Sequence, residues 1–335
     1  LQVGPRSAGA IPGPVAYRRG GKEPTVTDAN VVLGRINSES RMNGDGALLD
    51  VEGSRQAVQA LGTQMSLGVE QTAEAILAVV NQRMAGRMRL MSIERGLDPR
   101  DFALVAFGGA GPLHGGALIR EVGVSTMLVP LYPGVLCALG CVYADLRYDL
   151  SQTVEKRVDR LELEDLRTII VRQREDGQRQ LEESGVPIDS SSITHAADMA
   201  YSGQIHSLRV TIETDWTPAR LEQAFNESYR EKFGNTLDGI PTVIVNLRTI
   251  VVGKRTGSVM SNVATFVEGK PVAHVHRAVY FGGWHETPVY QRSALGPGMS
   301  FSGPAIVEQS DTTTVIEPDM HVMVDVHGNL LVKVS

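Results

Sequence analysis

Phe102-Ala103-Leu104-Val105-Ala106-Phe107 runs into Gly108-Gly109-Ala110-Gly111-Pro112-Leu113-His114-Gly115-Gly116, and the reading of this stretch decides the fold. A short apolar run breaks at a cluster of glycines. Pro112 then opens a helical pattern that continues to about Val122, and a second apolar run, Thr126–Val129, ends at Pro130. Strand, glycine turn, helix and strand in that order form an α/β layer. Glycines at such a turn let a ligand approach the backbone without a Cβ in the way. The helix start behind them offers free N–H groups and the positive end of a dipole, and Pro112 suits the first helical position because it lacks an N–H that would be unpaired there. Two nucleotide motifs fail the test. A P-loop needs Lys and then Ser or Thr after its glycines, and a dinucleotide fingerprint begun at Gly109 and Gly111 needs a small residue where His114 stands. The turn is therefore either a ligand wall or a bare strand-to-helix connection. His114 falls in the first turn of the helix, where its pKa is lowered and neutral imidazole is favoured. It either bonds a substrate or nucleotide, or bonds a nearby carbonyl.

Working outward, the upstream pattern is helical from about Ser54 to Gly96. Val69, Ala73, Ile76, Leu77, Val80, Met84, Met88 and Met91 fall on one stripe of a long helix. Residues 1–35 are mostly loop, punctuated by Gly and Pro, and Asn37–Gly46 is a polar loop. Thr27 or Asp28 is placed to cap the run Ala29–Arg35, and Thr27, Asp28 and Asn30 are either cap residues or members of a site. The opening, Leu1 followed by a Gly/Pro-rich stretch from Gly4 to Pro14, reads as a connection inside a larger protein.

Downstream the character changes. Arg160–Ser184 is a charged amphipathic helix. Beyond it, Leu208, Val210 and Ile212, and Val243, Val245 and Leu247, alternate with polar neighbours, as strands do, and His327-Gly328-Asn329 reads as a hairpin turn. A domain boundary is expected near residues 150–158, giving domains 1–152 and 153–335.

Composition narrows the function. The chain has 335 residues, 42% hydrophobic and 21% charged, enough for about two domains. A net charge of -6 provides no basic surplus for a phosphate backbone, so nucleic acid is not an expected partner. No apolar run is long enough to cross a bilayer, so no membrane association is expected. Cys137 and Cys141 cannot build a disulfide framework for this length and read as buried small hydrophobes in a reducing, cytoplasmic setting. His274, His276 and His285 lack an acidic ligand at a convincing spacing, so no metal site is expected. Asp311-Thr312-Thr313-Thr314 is either a polar site edge or a turn entering a Thr-rich strand. No Ser/His/Asp order or Gly-x-Ser-x-Gly elbow appears.

Several separated segments together carry a family resemblance. They are Ser7-Ala8-Gly9-Ala10 with Pro12-Gly13-Pro14 and Tyr17; Pro24–Asn30 with Leu33-Gly34-Arg35; Ala106–His114; Pro133-Gly134-Val135 with Ala138-Leu139-Gly140 and Ala144–Arg147; Tyr201-Ser202-Gly203-Gln204; Val245–Arg248; and Gly303–Glu308 with Asp311–Thr314. In this order and spacing the chain resembles the second half of the hydantoinase A / 5-oxoprolinase / acetone carboxylase β-subunit family. The resemblance implies an α/β plus α+β chain: the second half of an actin-like (acetate kinase/Hsp70/actin) ATPase, then a strand-rich C-terminal domain. It implies ATP, with Mg²⁺, and nucleotide-facing roles for Gly108, Gly109, Ala110, Gly111, Pro112 and His114, with Thr27, Asp28 and Asn30 lining the same cleft. The implied chemistry is ATP-dependent activation of an amide or carbonyl oxygen in a small substrate, as in a cyclic amide hydrolase. The implied partners are the missing N-terminal hydantoinase A half and a hydantoinase B-type subunit. Two alternatives are a non-catalytic scaffold subunit and a ketone carboxylase subunit. The family's phosphate-gripping Asp-x-Gly-Gly-Thr runs do not occur here, so this chain alone is not expected to be active. Ala16, Arg18, Gly115 and Gly116 stand where the family often has Cys, Gly and two alanines.

Overall fold

A computed structural model describes residues 4, 6–39, 48–256 and 267–335. Leu1, Pro5 and most of the polar loop expected at Asn37–Gly46 lie outside the described residues. In chain order the elements are α1 (Val26–Val32), α2 (Val51–Thr63), α3 (Val69–Ile93), β1 (Leu104–Val105), α4 (Gly111–Val122), β2 (Thr126–Val129), α5 (Leu136–Tyr143), β3 (Leu146–Arg157), α6 (Leu163–Glu183), β4 (Ile188–Tyr201), β5 (Leu208–Ile212), α7 (Pro218–Phe233) and β6 (Thr242–Arg255). The last seven strands are β7 (Val275–Tyr280), β8 (Trp284–Gln291), β9 (Ser300–Ser302), β10 (Ala305–Glu308), β11 (Thr313–Ile316), β12 (Met320–Val324) and β13 (Leu330–Val334). Among the described residues no helix is long and apolar enough to cross a membrane.

The chain packs as two units: residues 1–139 with 262–335, and residues 140–261. The expected division at 152/153, with everything beyond it in one domain, differs from this packing. The reason is long-range pairing: Leu330–Lys333 of β13 runs antiparallel to Thr126–Val129 of β2, which returns the end of the chain to the first unit.

In the first unit one sheet has the order β1-β2-β13-β12-β9 and a second has the order β11-β10-β8-β7. The expected strand–turn–helix–strand segment is present, with β1 parallel to β2 and α4 between them. Its core joins Ile119 and Val122 of α4 to Met127, Val129, Ile316, Met320, Val322, Leu330 and Val332. Gly115 lets α4 lie directly on β2, because a Cβ there would strike the Met127 Sδ. The single helix expected over 54–96 is two helices. Leu67 N–H donates to the Gly62 carbonyl at 3.0 Å, closing a tight turn. Gly62 is needed because a Cβ would meet the Thr72 side chain. Val69, Ala73 and Leu77 on the expected stripe are buried against α1 and α2, whereas Met91 at its end is exposed.

The second unit is an antiparallel sheet, β3-β6-β4-β5, covered on one face by α6 and α7. Leu166 and Ile170 of α6 and Leu221 and Phe225 of α7 pack on Ala197, Met199, Val210, Ile212, Ile244 and Leu247. The alternating runs 208–212 and 243–247 are strands as expected. The hairpin expected at His327–Asn329 joins β12 to β13 in the first unit, with the Asp325 carboxylate accepting from the N–H groups of His327 and Asn329. Cys137 and Cys141 are exposed, contrary to expectation, because α5 buries none of its residues.

Candidate functional site

The glycine turn borders a cleft of about 320 Å³ in the first unit. Three walls form it. Gly109 and Leu113 supply the turn and the start of α4. Tyr17, Thr27, Ile36, Asn37 and Leu49 form the second wall. Glu308 to Thr313, the reversal between β10 and β11, forms the third.

Local chemistry fixes each wall. Gly108 has φ +80, a conformation in which a side chain is strained, and its N–H donates to the Pro133 carbonyl at 2.8 Å. The turn is latched to the third wall by the Thr312 hydroxyl, which donates to the Gly109 carbonyl at 3.0 Å and reaches the Gly108 carbonyl at 3.3 Å. The Asp311 carboxylate accepts from the Gly134 N–H at 3.0 Å. The backbone at Gly109 itself is open: a Cβ there meets only the Asp311 carbonyl oxygen, at an ordinary 3.5 Å.

The third wall carries two carboxylates, Glu308 and Asp311. Glu308 is mostly buried and is held by Arg277 Nη1 at 2.7 Å and Asn37 Nδ2 at 3.3 Å. The same guanidinium donates to the carbonyls of Gly34 at 2.9 Å and Arg35 at 3.3 Å, tying β7 to the end of α1. Gly34 permits that approach, since its φ is +72 and a Cβ would strike the Ala278 carbonyl oxygen. Glu308 and Asp311 are the charged residues of the lining, and no Lys or Arg is among them. Hydroxyl and amino groups that donate hydrogen bonds suit such a surface, and phosphate groups do not.

The residues singled out in the sequence divide. Thr27 and Gly109 line the cleft. Gly108, Ala110, Gly111 and Pro112 shape the turn without lining it, with Ala110 at the helix cap and Pro112 in the first turn. His114 lies behind the wall, 7% exposed, with Nδ1 2.8 Å from Asn81 Oδ1 on α3. An amide oxygen accepts, so Nδ1 carries the proton. The His114 pKa is lowered as expected, first by burial and then by the Arg35 charge. The imidazole is thus the neutral tie between α3 and α4.

Asp28 and Asn30 are also buried behind the cleft. The helix cap is Thr25, with Asp28 at the third helical position completing a capping box, in place of the expected cap at Thr27 or Asp28. The Asp28 carboxylate accepts from the N–H groups of Ala16 (2.7 Å), Thr25 (2.8 Å) and Val15 (3.2 Å) and from the hydroxyls of Thr25 and Ser54 (both 2.8 Å). Five donors organise the loop that carries Tyr17 to the cleft. Asn30 donates from Nδ2 to the Val26 carbonyl at 3.0 Å.

Asn37, Glu308 and Gln309 were not anticipated as lining residues. Glu308 belongs to the terminal motif Gly303–Glu308, which offered a signal; Asn37 offered none. Asp311, Thr312 and Thr313 line the cleft, and the expected turn entering a Thr-rich strand is present, with β11 beginning at Thr313. Among the described residues no three His, Cys, Asp or Glu side chains gather closely enough to hold a metal ion.

Comparison with known proteins agrees with this architecture. The hydantoinase/oxoprolinase family model matches residues 1–150, and the hydantoinase/oxoprolinase C-terminal domain model matches residues 162–333. Relatives include the caprolactamase subunit alpha of Pseudomonas jessenii, 34% identical over 97% of this chain and 48% of its own length. The acetophenone carboxylase gamma subunit of Aromatoleum aromaticum is 30% identical over 98% of this chain and 47% of its own length. The crystal structure of ATP-dependent caprolactamase from Pseudomonas jessenii superposes with a TM-score of 0.80 at 32% identity, covering 100% of this chain and 50% of that one. The chain spans about half the length of the curated relatives it matches. On these matches, over a mixed α/β fold with several sheets, the chain belongs to the hydantoinase/oxoprolinase family.

Proposed function

We propose that this chain forms the adenosine-side wall of an actin-like ATPase that activates an amide or carbonyl oxygen of a small substrate. The observation that carries the reading is the cleft beside Gly109: open backbone on one side and an acidic, side-chain-fixed wall, Glu308 and Asp311, on the other. Ribose hydroxyls and the adenine amino group donate hydrogen bonds to such a wall. Glu308 is neutralised by Arg277, but the Asp311 carboxylate disfavours phosphate beside it, and the triphosphate points away toward groups this chain does not supply. Those groups belong to the N-terminal hydantoinase A half, and Mg²⁺ held there would offset the charge of the phosphates.

The family and the ATP-dependent relative support the chemistry proposed for the assembled enzyme. The substrate oxygen attacks the γ-phosphorus, the bond from that phosphorus to the bridging β,γ-oxygen breaks, and ADP leaves with the electron pair. The phosphate draws electrons from the carbon, water adds there, and the C–N bond breaks with the ring nitrogen leaving as a protonated amine; a second water then hydrolyses the acyl phosphate to carboxylate and phosphate. A cyclic amide opens by this route, and a hydantoinase B-type subunit completes the reaction in a cytoplasmic complex. The contribution of this chain is positioning and exclusion of water, which is most of what an enzyme provides for phosphoryl transfer.

The test is ATP titration by calorimetry, with this chain alone and with a polypeptide supplying the other half of the family's length. Saturable binding by the pair, much weaker for the chain alone, is expected. Absence of nucleotide binding by the pair removes the reading.

A further inference from the structure

The second unit contains a larger cavity, about 440 Å³, between the turn joining β4 to β5 and the last turns of α7. Its inner wall is Met199, Leu208, Phe225 and Tyr229, and Phe233 closes one side. The aromatic rings form a fixed series, with centroids 4.9 Å apart for Tyr201–Phe225, 5.6 Å for Phe225–Tyr229 and 4.5 Å for Tyr229–Phe233. Gln204 donates to the Tyr229 hydroxyl at 2.9 Å, which locks the turn over the rings. A concave space of this size, apolar inside with a few polar groups at its edge, is the usual form of a small-molecule site.

The edge sets the ligand's charge. Lys232 lines the cavity, its ammonium 5.5 Å from the centre of the Phe233 ring, and no Asp or Glu is in the lining. Among the described residues Lys232 makes no ion pair. His206 and Ser207 are beside it in the lining. A phosphate calls for several convergent charge-assisted donors. One ammonium at the mouth of an aromatic slot suits a singly charged head on an apolar body.

From these residues we infer that the second unit binds an aryl-aliphatic monocarboxylate, with the hydrocarbon against Tyr229, Phe233 and Leu208 and the carboxylate on Lys232. The site is independent of the cleft beside Gly109, since its walls come from other elements of the chain.

Calorimetry on the full chain tests this with hydrocinnamate, its neutral amide and acetate. Hydrocinnamate saturates one site, the amide binds more weakly, and acetate, lacking the apolar body, does not saturate. Added ATP leaves the hydrocinnamate isotherm unchanged. Lys232→Gln weakens hydrocinnamate about fivefold, the effect of losing one partly solvated ion pair. Ser207→Phe, which fills the mouth, abolishes saturation. Both positions are exposed, and circular dichroism reports whether each variant is folded; if Ser207→Phe is not, Lys232→Gln decides alone. No saturation by hydrocinnamate, equal binding of the amide, or unchanged affinity in Lys232→Gln overturns the inference.

Discussion

The two ends of the glycine motif behave differently. At Gly109 a Cβ would sit in ordinary contact with one carbonyl oxygen, beside an open cleft. Six residues later, at Gly115, a Cβ would fall on the Met127 sulfur, and at Gly116 it would press on Met320 at 3.0 Å. The first end leaves room for a ligand and the second leaves room for a helix to lie on a sheet. The acidic residues divide in the same way. Asp28 is enclosed by five donors and organises a loop, whereas Glu308, paired with Arg277, and Asp311 line the cleft. Residue type does not separate a wall from its scaffold; the space and partners around each residue do.

Four substitutions break or sharpen this contrast. The largest effect is expected for Asp28→Ala, which strands the buried N–H of Ala16 and the Ser54 hydroxyl among others. A loss of about 4 kcal/mol in urea unfolding is expected; a loss below about 1 kcal/mol would place Asp28 outside the scaffold. Gly115→Val forces α4 away from β2 and lowers stability by about 3 kcal/mol. A near-neutral result there would mean the two ends of the motif are alike. Next comes His114, whose folded pKa lies below its ordinary 6.5 because the charged imidazole is penalised by burial. The unfolded chain therefore binds the proton more readily. The stability from neutral His114 is fully present above pH 6.5 and is lost as pH falls through that value toward the lower folded pKa. His114→Gln flattens this acid-side loss in unfolding midpoints measured across that range; an unchanged slope assigns the loss to other groups. The smallest stability effect is expected for Gly109→Val, within about 0.5 kcal/mol, because the position faces open space.

The local grammar of this fold was legible. Phe102–Val129 reads as strand, turn, helix and strand because each element is fixed by its own residues, and the structure has them in that order. The break between α2 and α3 was missed although Gly62 and Gly68 flank it; the apolar stripe, Val69 to Met91, lies wholly in α3 and does not mark where that helix begins. The return of β13 to β2 was not legible, since pairing between residues some two hundred apart leaves no local mark. At the site, Gly109 and Thr27 were visible as candidates. Thr25-x-x-Asp28 carries the spacing of a capping box, which would have marked Asp28 as scaffold. Asn37 and Glu308 meet only through folding, across 271 positions of sequence, and no spacing rule reaches that far.

The most direct test of the cleft is the ATP dissociation constant of the assembled enzyme with Gly109→Val in place of the native chain. A rise of at least about tenfold, with the urea midpoint unchanged, is the expected result, because the isopropyl group occupies the space the proposed function gives to adenosine. Native affinity in a folded Gly109→Val enzyme would contradict the account.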